Sequence, residues 1–255
     1  MGELAAGRRF EHGVVDSTSE RAFAALAEGS ALHGDRHLAH SQTAGRGRLG
    51  RSWLSPPGEG LYLSVVLRPE RPYDPVALTM GTGLAVLDAL RGAGLDTAWL
   101  DWPNDVMVGE AKLAGILAEA RGGAACVLGV GMNLLQRSFA PELLEERAVT
   151  SLCLQGLSIA ARELEDRICS HLEDRLEQVT TAAPALARDF LSATGLGDSP
   201  VRVEVASGEV LEGICSGLEL SRGLCVTSER DGQPRGAPRW VALAHVRAVE
   251  RQPAP

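Results

Sequence analysis

The 255 residues are 45% hydrophobic and 23% charged, enough apolar mass to bury a full core as one large domain or a larger plus a smaller one. A net charge of −8 and a pI near 5.3 exclude a broad electrostatic footprint for nucleic acid, so any anion site must be local. Five cysteines (Cys126, Cys153, Cys169, Cys215, Cys225) without CxxC spacing, no signal peptide and no membrane-length apolar run predict reduced thiols in a soluble, unexported, cytoplasmic protein.

In chain order, Ser17 and Thr18 precede Arg21, Ala22, Ala25 and Leu26 and follow the apolar pair Val14 and Val15, which predicts an N-capped short helix over 17–28. A strand is predicted at 35–40. Residues 41–60, SQTAGRGRLGRSWLSPPGEG, hold five glycines and two prolines without periodicity and read as a loop. LYLSVVLRP (61–69) reads as a buried strand, and Pro75–Leu90 carries Val76, Leu78, Met80, Leu84, Leu87 and Leu90 at helical spacing. TAWLDWP, KLAGILAEA and ACVLGVGMNL read as strands joined by tight turns, with Gly109 and Gly122–Gly123 as breakers. Leu157, Ala161, Leu164, Ile168, Leu172, Leu176 and Val179 share one face of a long amphipathic helix, and a second helix is predicted near 184–193. After TGLGDSP the pattern changes to short alternating strands, predicting a small antiparallel barrel of roughly 50 residues.

Three stretches can carry chemistry. Between Ser41 and Gly58 no residue is acidic, while Arg46, Arg48 and Arg51 alternate with Gly45, Gly47 and Gly50 ahead of Trp53. Glycine lets backbone amides face an anion, arginine offers forked donors, and an indole offers an apolar face. A solvated flexible loop is the alternative, and neither a phosphate-binding GK[ST] ending nor a dinucleotide fingerprint is present. WPND (102–105) is followed at 112 by the chain's single lysine, against 24 arginines. A turn at Gly109 folds Lys112 beside Asn104 and Asp105, assembling an amide, a carboxylate able to help hold magnesium, and an ammonium. A chain that otherwise uses arginine keeps one lysine where a compact point charge is needed. In VLGVGMNL (127–134), Gly129 and Gly131 let a ligand approach the backbone and Asn133 presents an amide.

In this order, DSTSE (16–20), QTAGRGRLGRSW (42–53), GLYLSVVLRP (60–69), WPNDV (102–106), KLAGILAE (112–119) and GVGMNL (129–134) resemble the biotin protein ligase family. The resemblance is strong over 15–135. It implies an α+β fold: a mixed-sheet catalytic body with flanking helices, class II synthetase-like, over 1–197, and a small SH3-like β-barrel over 198–255. It also implies the activity. Biotin is joined to AMP from ATP, with magnesium, and is then passed to a lysine of a biotin carboxyl carrier domain. By resemblance, Ser17, Thr18, Gln42, Gly45, Arg46, Lys112, Gly115, Gly129 and Gly131 bind biotin. Arg48, Arg51, Trp53, Asn104, Lys112 and Asn133 serve ATP, Lys112 and Arg48 are catalytic, and Asp105 holds magnesium.

Two positions depart from the family pattern. Asp101 stands where a lysine usually precedes WPND, and Leu49 replaces the second arginine of an Arg-Arg pair. Removing one cation and adding an anion predicts weaker ATP binding. The alternatives are a lipoate- or octanoate-type protein ligase, or a catalytically weak biotin-binding homologue. Only about fifteen residues precede the first motif, which predicts no helix-turn-helix and no DNA partner. No membrane partner is expected, a homodimer is, and the glycines predict a mobile 43–53 loop without ligand.

Overall fold

In a computed structural model of the chain, residues 4, 6–230, 233–234 and 236–252 are described. Strand β1 (Arg9–Val15) leads into helix α1 (Thr18–Ala27), whose N-cap Ser17 accepts a hydrogen bond from the Ser19 amide. Next come β2 (Arg36–Gln42), β3 (Gly60–Leu67) and α2 (Pro75–Gly92), the last opened by Asp74 accepting from the Val76 and Ala77 amides ahead of a first-turn proline. Four strands follow: β4 (Ala98–Asp101), β5 (Asp105–Val108), β6 (Ala111–Ala120) and β7 (Cys126–Asn133). Helices α3 (Pro141–Glu146), α4 (Ala161–Thr181) and α5 (Ala183–Thr194) complete the body.

The seven strands form one mixed sheet in the order β1-β2-β3-β7-β6-β5-β4. Only β1 and β2 run parallel; the remaining neighbours are antiparallel. Strand alternation gives the sheet two different faces. Leu63, Val65 and Leu67 of β3 and Leu128, Val130 and Met132 of β7 point toward α2, α4 and α5 and join the main core. The intervening positions pair as Tyr62 with Gly131, Ser64 with Gly129 and Val66 with Val127. Ala22 and Phe23 of α1 cover Val66 and Val127, leaving the glycine end of that face to the loop between β2 and β3.

Beyond α5, β8 (Pro200–Val205), β9 (Val210–Glu219) and β10 (Gly223–Thr227) are followed by the short pair β11 (Glu229–Arg230) and β12 (Gln233–Pro234). β13 (Arg239–Val241) and β14 (Val246–Arg251) then complete a five-stranded antiparallel sheet ordered β13-β10-β9-β8-β14. Cys215, Leu218 and Leu224 share the core with Phe190 and Leu196, so the small sheet is packed onto the body.

The structure adds one strand that the sequence pattern did not predict and refines two expectations. β1 is an edge strand with exposed and charged positions, which hides its period-2 signal behind Glu11 and His12. TAWLDWP splits, because Asp101 closes β4 and pairs across the WPN turn with Asp105 of β5. The long helix begins at Ala161 instead of Leu157, since Ala160 is extended, with ψ 137; Leu157 and Ile159 still pack on the core. Among the described residues, no helix is long and apolar enough to cross a membrane, and all five cysteines are free.

Candidate functional site

The open end of the sheet face is floored by glycines. Gly115 of β6 pairs with Gly131 of β7, and Gly129 lies two residues along the same strand, so three positions without side chains share one face. A cleft of about 1180 Å³ opens above them. The Trp53 indole reaches over this floor. A Cβ at Gly131 would stand 2.5 Å from its ring, one at Gly115 would stand 3.1 Å from it, and one at Gly129 would meet nothing nearer than the Ser19 hydroxyl at 3.4 Å.

A β-bulge aims Lys112 into the cleft. The β5–β6 register shifts between Val106 and Met107, with Ala114 opposite the first and Lys112 opposite the second. Leu113 is thus an extra residue. Leu113 and Ala114 are both fully buried, and Lys112 comes onto the face of Gly115, whose Cβ would lie 3.3 Å from the Lys112 Nζ. Bulges commonly re-aim a side chain in this way. Gly109, at φ 56, makes the left-handed turn between β5 and β6, and the ammonium returns to within 2.6 Å of Asp105 Oδ1.

Asp105 serves two cations. Its Oδ2 accepts from Arg147 Nη1 at 2.7 Å, so each carboxylate oxygen faces a cation. Among the described residues no group of three His, Cys, Asp or Glu could hold a metal. Burial pushes the Lys112 pKa below the ordinary lysine value despite Asp105. Burial, followed by the Asp105 charge, raises the Asp101 pKa.

The arginine loop is a folded flap. Gln42 bridges Ser55 and Arg46 bridges Ser52, Trp53 N donates to Gly45 O at 2.9 Å, and Gly47 N donates to Arg51 O at 2.8 Å. Leu49 (φ 56) and Gly50 (φ 75) turn its tip in two successive left-handed residues, and Leu49 is 88% exposed. Arg48 Nη1 donates to Asn104 Oδ1 at 3.1 Å, with its pKa lowered by burial. Arg51 is exposed on the loop and lines the cleft. Asn104 Nδ2 donates to Ile116 O, so the WPND turn clamps both the flap and β6.

The other end of the cleft is lined by hydroxyls and an amide. Thr18 N donates to Gln42 Oε1 at 2.8 Å, Gln42 Nε2 to Ser55 Oγ at 2.7 Å, and the hydroxyls of Thr18 and Ser19 both meet that of Ser64. Asn133 lines the same cleft, with Nδ2 donating to Thr150 O and Oδ1 accepting from Gln136. Its amide is committed to holding the 150 segment.

The description "Biotin/lipoate A/B protein ligase family" fits residues 13–133. The biotin--[acetyl-CoA-carboxylase] ligase of Mycobacterium tuberculosis is 36% identical across 82% of this chain and 79% of its own length. The chain belongs to the biotin/lipoate A/B protein ligase family. The bifunctional ligase/repressor BirA of Escherichia coli is 31% identical over 91% of this chain and 72% of its own. Among solved structures, the biotin protein ligase from Aquifex aeolicus in complex with biotin and ATP superposes with a TM-score of 0.79 at 26% identity, covering 96% of this chain and 99% of that one.

Within this ligase-family cleft, several contributors escaped the sequence reading. Ser64 had a usable signal, a lone hydroxyl inside the apolar run LYLSVVL. Arg147 follows an acidic helix far along the chain and had none. Glu20 and Glu119, which both pair with Arg46, also lie on separate elements. Arg121 pairs with Glu20 as well. Hydrogen bonds from Arg121, then Arg46, hold the Glu20 carboxyl at about 2 against an ordinary 4.5. A depressed carboxylate stabilises its network above the unfolded value and loses it as pH falls toward the folded one. The flap's protection against amide exchange is therefore expected to persist down to about pH 4.5 and fade toward pH 2. Arg46→Ala should speed exchange over 43–53 by roughly five- to tenfold at neutral pH, and unchanged exchange refutes the latch.

Proposed function

We propose that the chain is a biotin protein ligase that forms biotinyl-5′-AMP from biotin and ATP and transfers biotin to a lysine of a carboxyl carrier domain. One observation carries the reading: a glycine floor runs from a hydroxyl-and-amide end to a buried ammonium. A bicyclic urea suits the first end, a flat apolar body and chain suit the floor, and a carboxylate suits the second.

In this reading Ser17, Thr18 and Gln42 hydrogen-bond the ureido ring, Gly129 lets the ligand reach the backbone, Gly115 and Gly131 line the pocket by admitting the Trp53 indole as its wall, and Gly45 and Arg46 close over it. A biotin carboxylate oxygen attacks the α-phosphorus of ATP, the bond to the β-phosphate breaks, and pyrophosphate leaves. Lys112 neutralises charge on the reacting carboxylate and α-phosphate, and Arg48 closes the flap from its hold on Asn104. Arg51 and Trp53 face the nucleotide. The carrier amine then attacks the acyl carbon, loses a proton, and AMP departs with the electron pair. Magnesium belongs with the phosphates of ATP, and we give Asp105 the task of holding Lys112. Asn133 acts by fixing the 150 segment.

We further assign residues 1–197 to a class II synthetase-like catalytic domain and 198–255 to an SH3-like module, supported by the two separate sheets. A cytoplasmic protein without a DNA partner fits the charge of −8, and pairing of two copies is tested by light scattering.

Incubating the protein with ATP, magnesium, labelled biotin and an apo-carrier domain is expected to give pyrophosphate release followed by carrier labelling. Adenylate without transfer, or binding alone, would sink the ligase reading in favour of a weak biotin-binding homologue.

A further inference from the structure

Arg147 is held beside Lys112 by backbone. Lys112 N donates to Ala148 O, and Thr150 N to Lys112 O, both at 2.9 Å, so the segment after α3 runs parallel to the start of β6. Its guanidinium has five donors and uses them poorly. Nη1 reaches Asp105 at 2.7 Å, Nη2 has only the Met107 sulfur at 3.8 Å, and the buried Nε has no hydrogen-bond partner. The side chain is 30% exposed and lines the cleft.

Asp101 faces Asp105 in the β4–β5 register, is partly buried, and lies within the fields of both Arg147 and Lys112. Two carboxylates and two cations therefore cancel on the wall where a polyanion must sit. Without Arg147 this wall would be net negative and would oppose the pull that Arg48 and Arg51 of the flap exert on phosphates.

Resting on the ligase reading above, we infer that Arg147 is a further phosphate-facing cation of the nucleotide site, beside Lys112, and that it offsets the charge of Asp101. The open donors of Arg147 point to phosphate oxygens as ligand, since a planar fork matches them and Asp105 takes only one of its arms.

The test is adenylate formation by wild type, Arg147→Gln, Arg147→Lys, Asp101→Asn and the double variant Asp101→Asn/Arg147→Gln, with biotin affinity and melting temperature measured alongside. Arg147→Gln should raise the KM for ATP by about 10- to 100-fold with biotin affinity unchanged. Arg147→Lys should recover most of that loss, and adding Asp101→Asn to Arg147→Gln should lower the KM at least fivefold. An unchanged ATP KM in Arg147→Gln overturns the inference. So does a parallel fall in biotin affinity and melting temperature, the mark of a purely structural arginine, or an absence of rescue by Asp101→Asn. A wild-type protein that makes no adenylate overturns the ligase reading itself, and is recognised before any variant is compared.

Discussion

Lys112→Arg is expected to slow adenylate formation by at least about 100-fold while leaving the fold intact. The charge is conserved, so the loss must come from shape. The ammonium is hemmed in: Asp105 Oδ1 lies 2.6 Å away and the Trp53 ring centre 5.4 Å away. A guanidinium is broader than an ammonium, and in this box its natural partner is a carboxylate held by two parallel donors. It would turn onto Asp105, compete with Arg147 for Oδ2, and leave no compact charge for the reacting carboxylate. Single-turnover pyrophosphate release measures this, and a near-normal rate with arginine would refute the compact-ammonium argument. The pH profile supplies a second check. Burial lowers the Lys112 pKa from 10.5, so adenylation that needs the charged ammonium should decline on the alkaline side before an ordinary lysine would titrate.

Much of this site was legible before any coordinates. The single lysine, the Gly109 turn that brings it back to Asp105, and the alternating Gly129 and Gly131 all follow from local pattern, because turns and strand alternation are set by near neighbours. The order of most helices and strands was readable for the same reason, whereas the mixed sheet was an implication of the family resemblance. Other features depend on contacts between distant segments. The bulge at Leu113 is visible only once β5 and β6 are paired, since KLAGILAEA alternates plausibly in either register. Arg147 meets Asp105 through tertiary packing of a stretch with no motif. Asparagine in a turn can serve either a ligand or the backbone, and the partners of Asn104 (Arg48 and Ile116) and of Asn133 (Thr150 and Gln136) come from distant segments that local pattern does not reveal.

The glycine floor yields the sharpest steric series. Gly131→Ala is expected to weaken biotin binding by about 100-fold, because a methyl group there would stand 2.5 Å from the Trp53 ring, and a displacement of about 1 Å at a reacting site can cost that much. The indole cannot rise freely, since the Trp53 amide is tied to Gly45 O at 2.9 Å, so the flap must lift with it. Gly115→Ala meets both the indole at 3.1 Å and Lys112 at 3.3 Å; its effect should fall more on adenylation than on biotin affinity. Gly129→Ala has its nearest protein neighbour at 3.4 Å, ordinary contact distance, so a loss of affinity there reports a methyl group set against the ligand on the floor and not a displaced indole. Titration calorimetry with biotin and single-turnover adenylation, run on all three, give an ordering that no uniform loss of stability would reproduce. If Gly129→Ala binds biotin as tightly as wild type, the ligand does not lie on the β7 backbone; if Gly131→Ala does, the placement of Trp53 over the floor is not what shapes the biotin site.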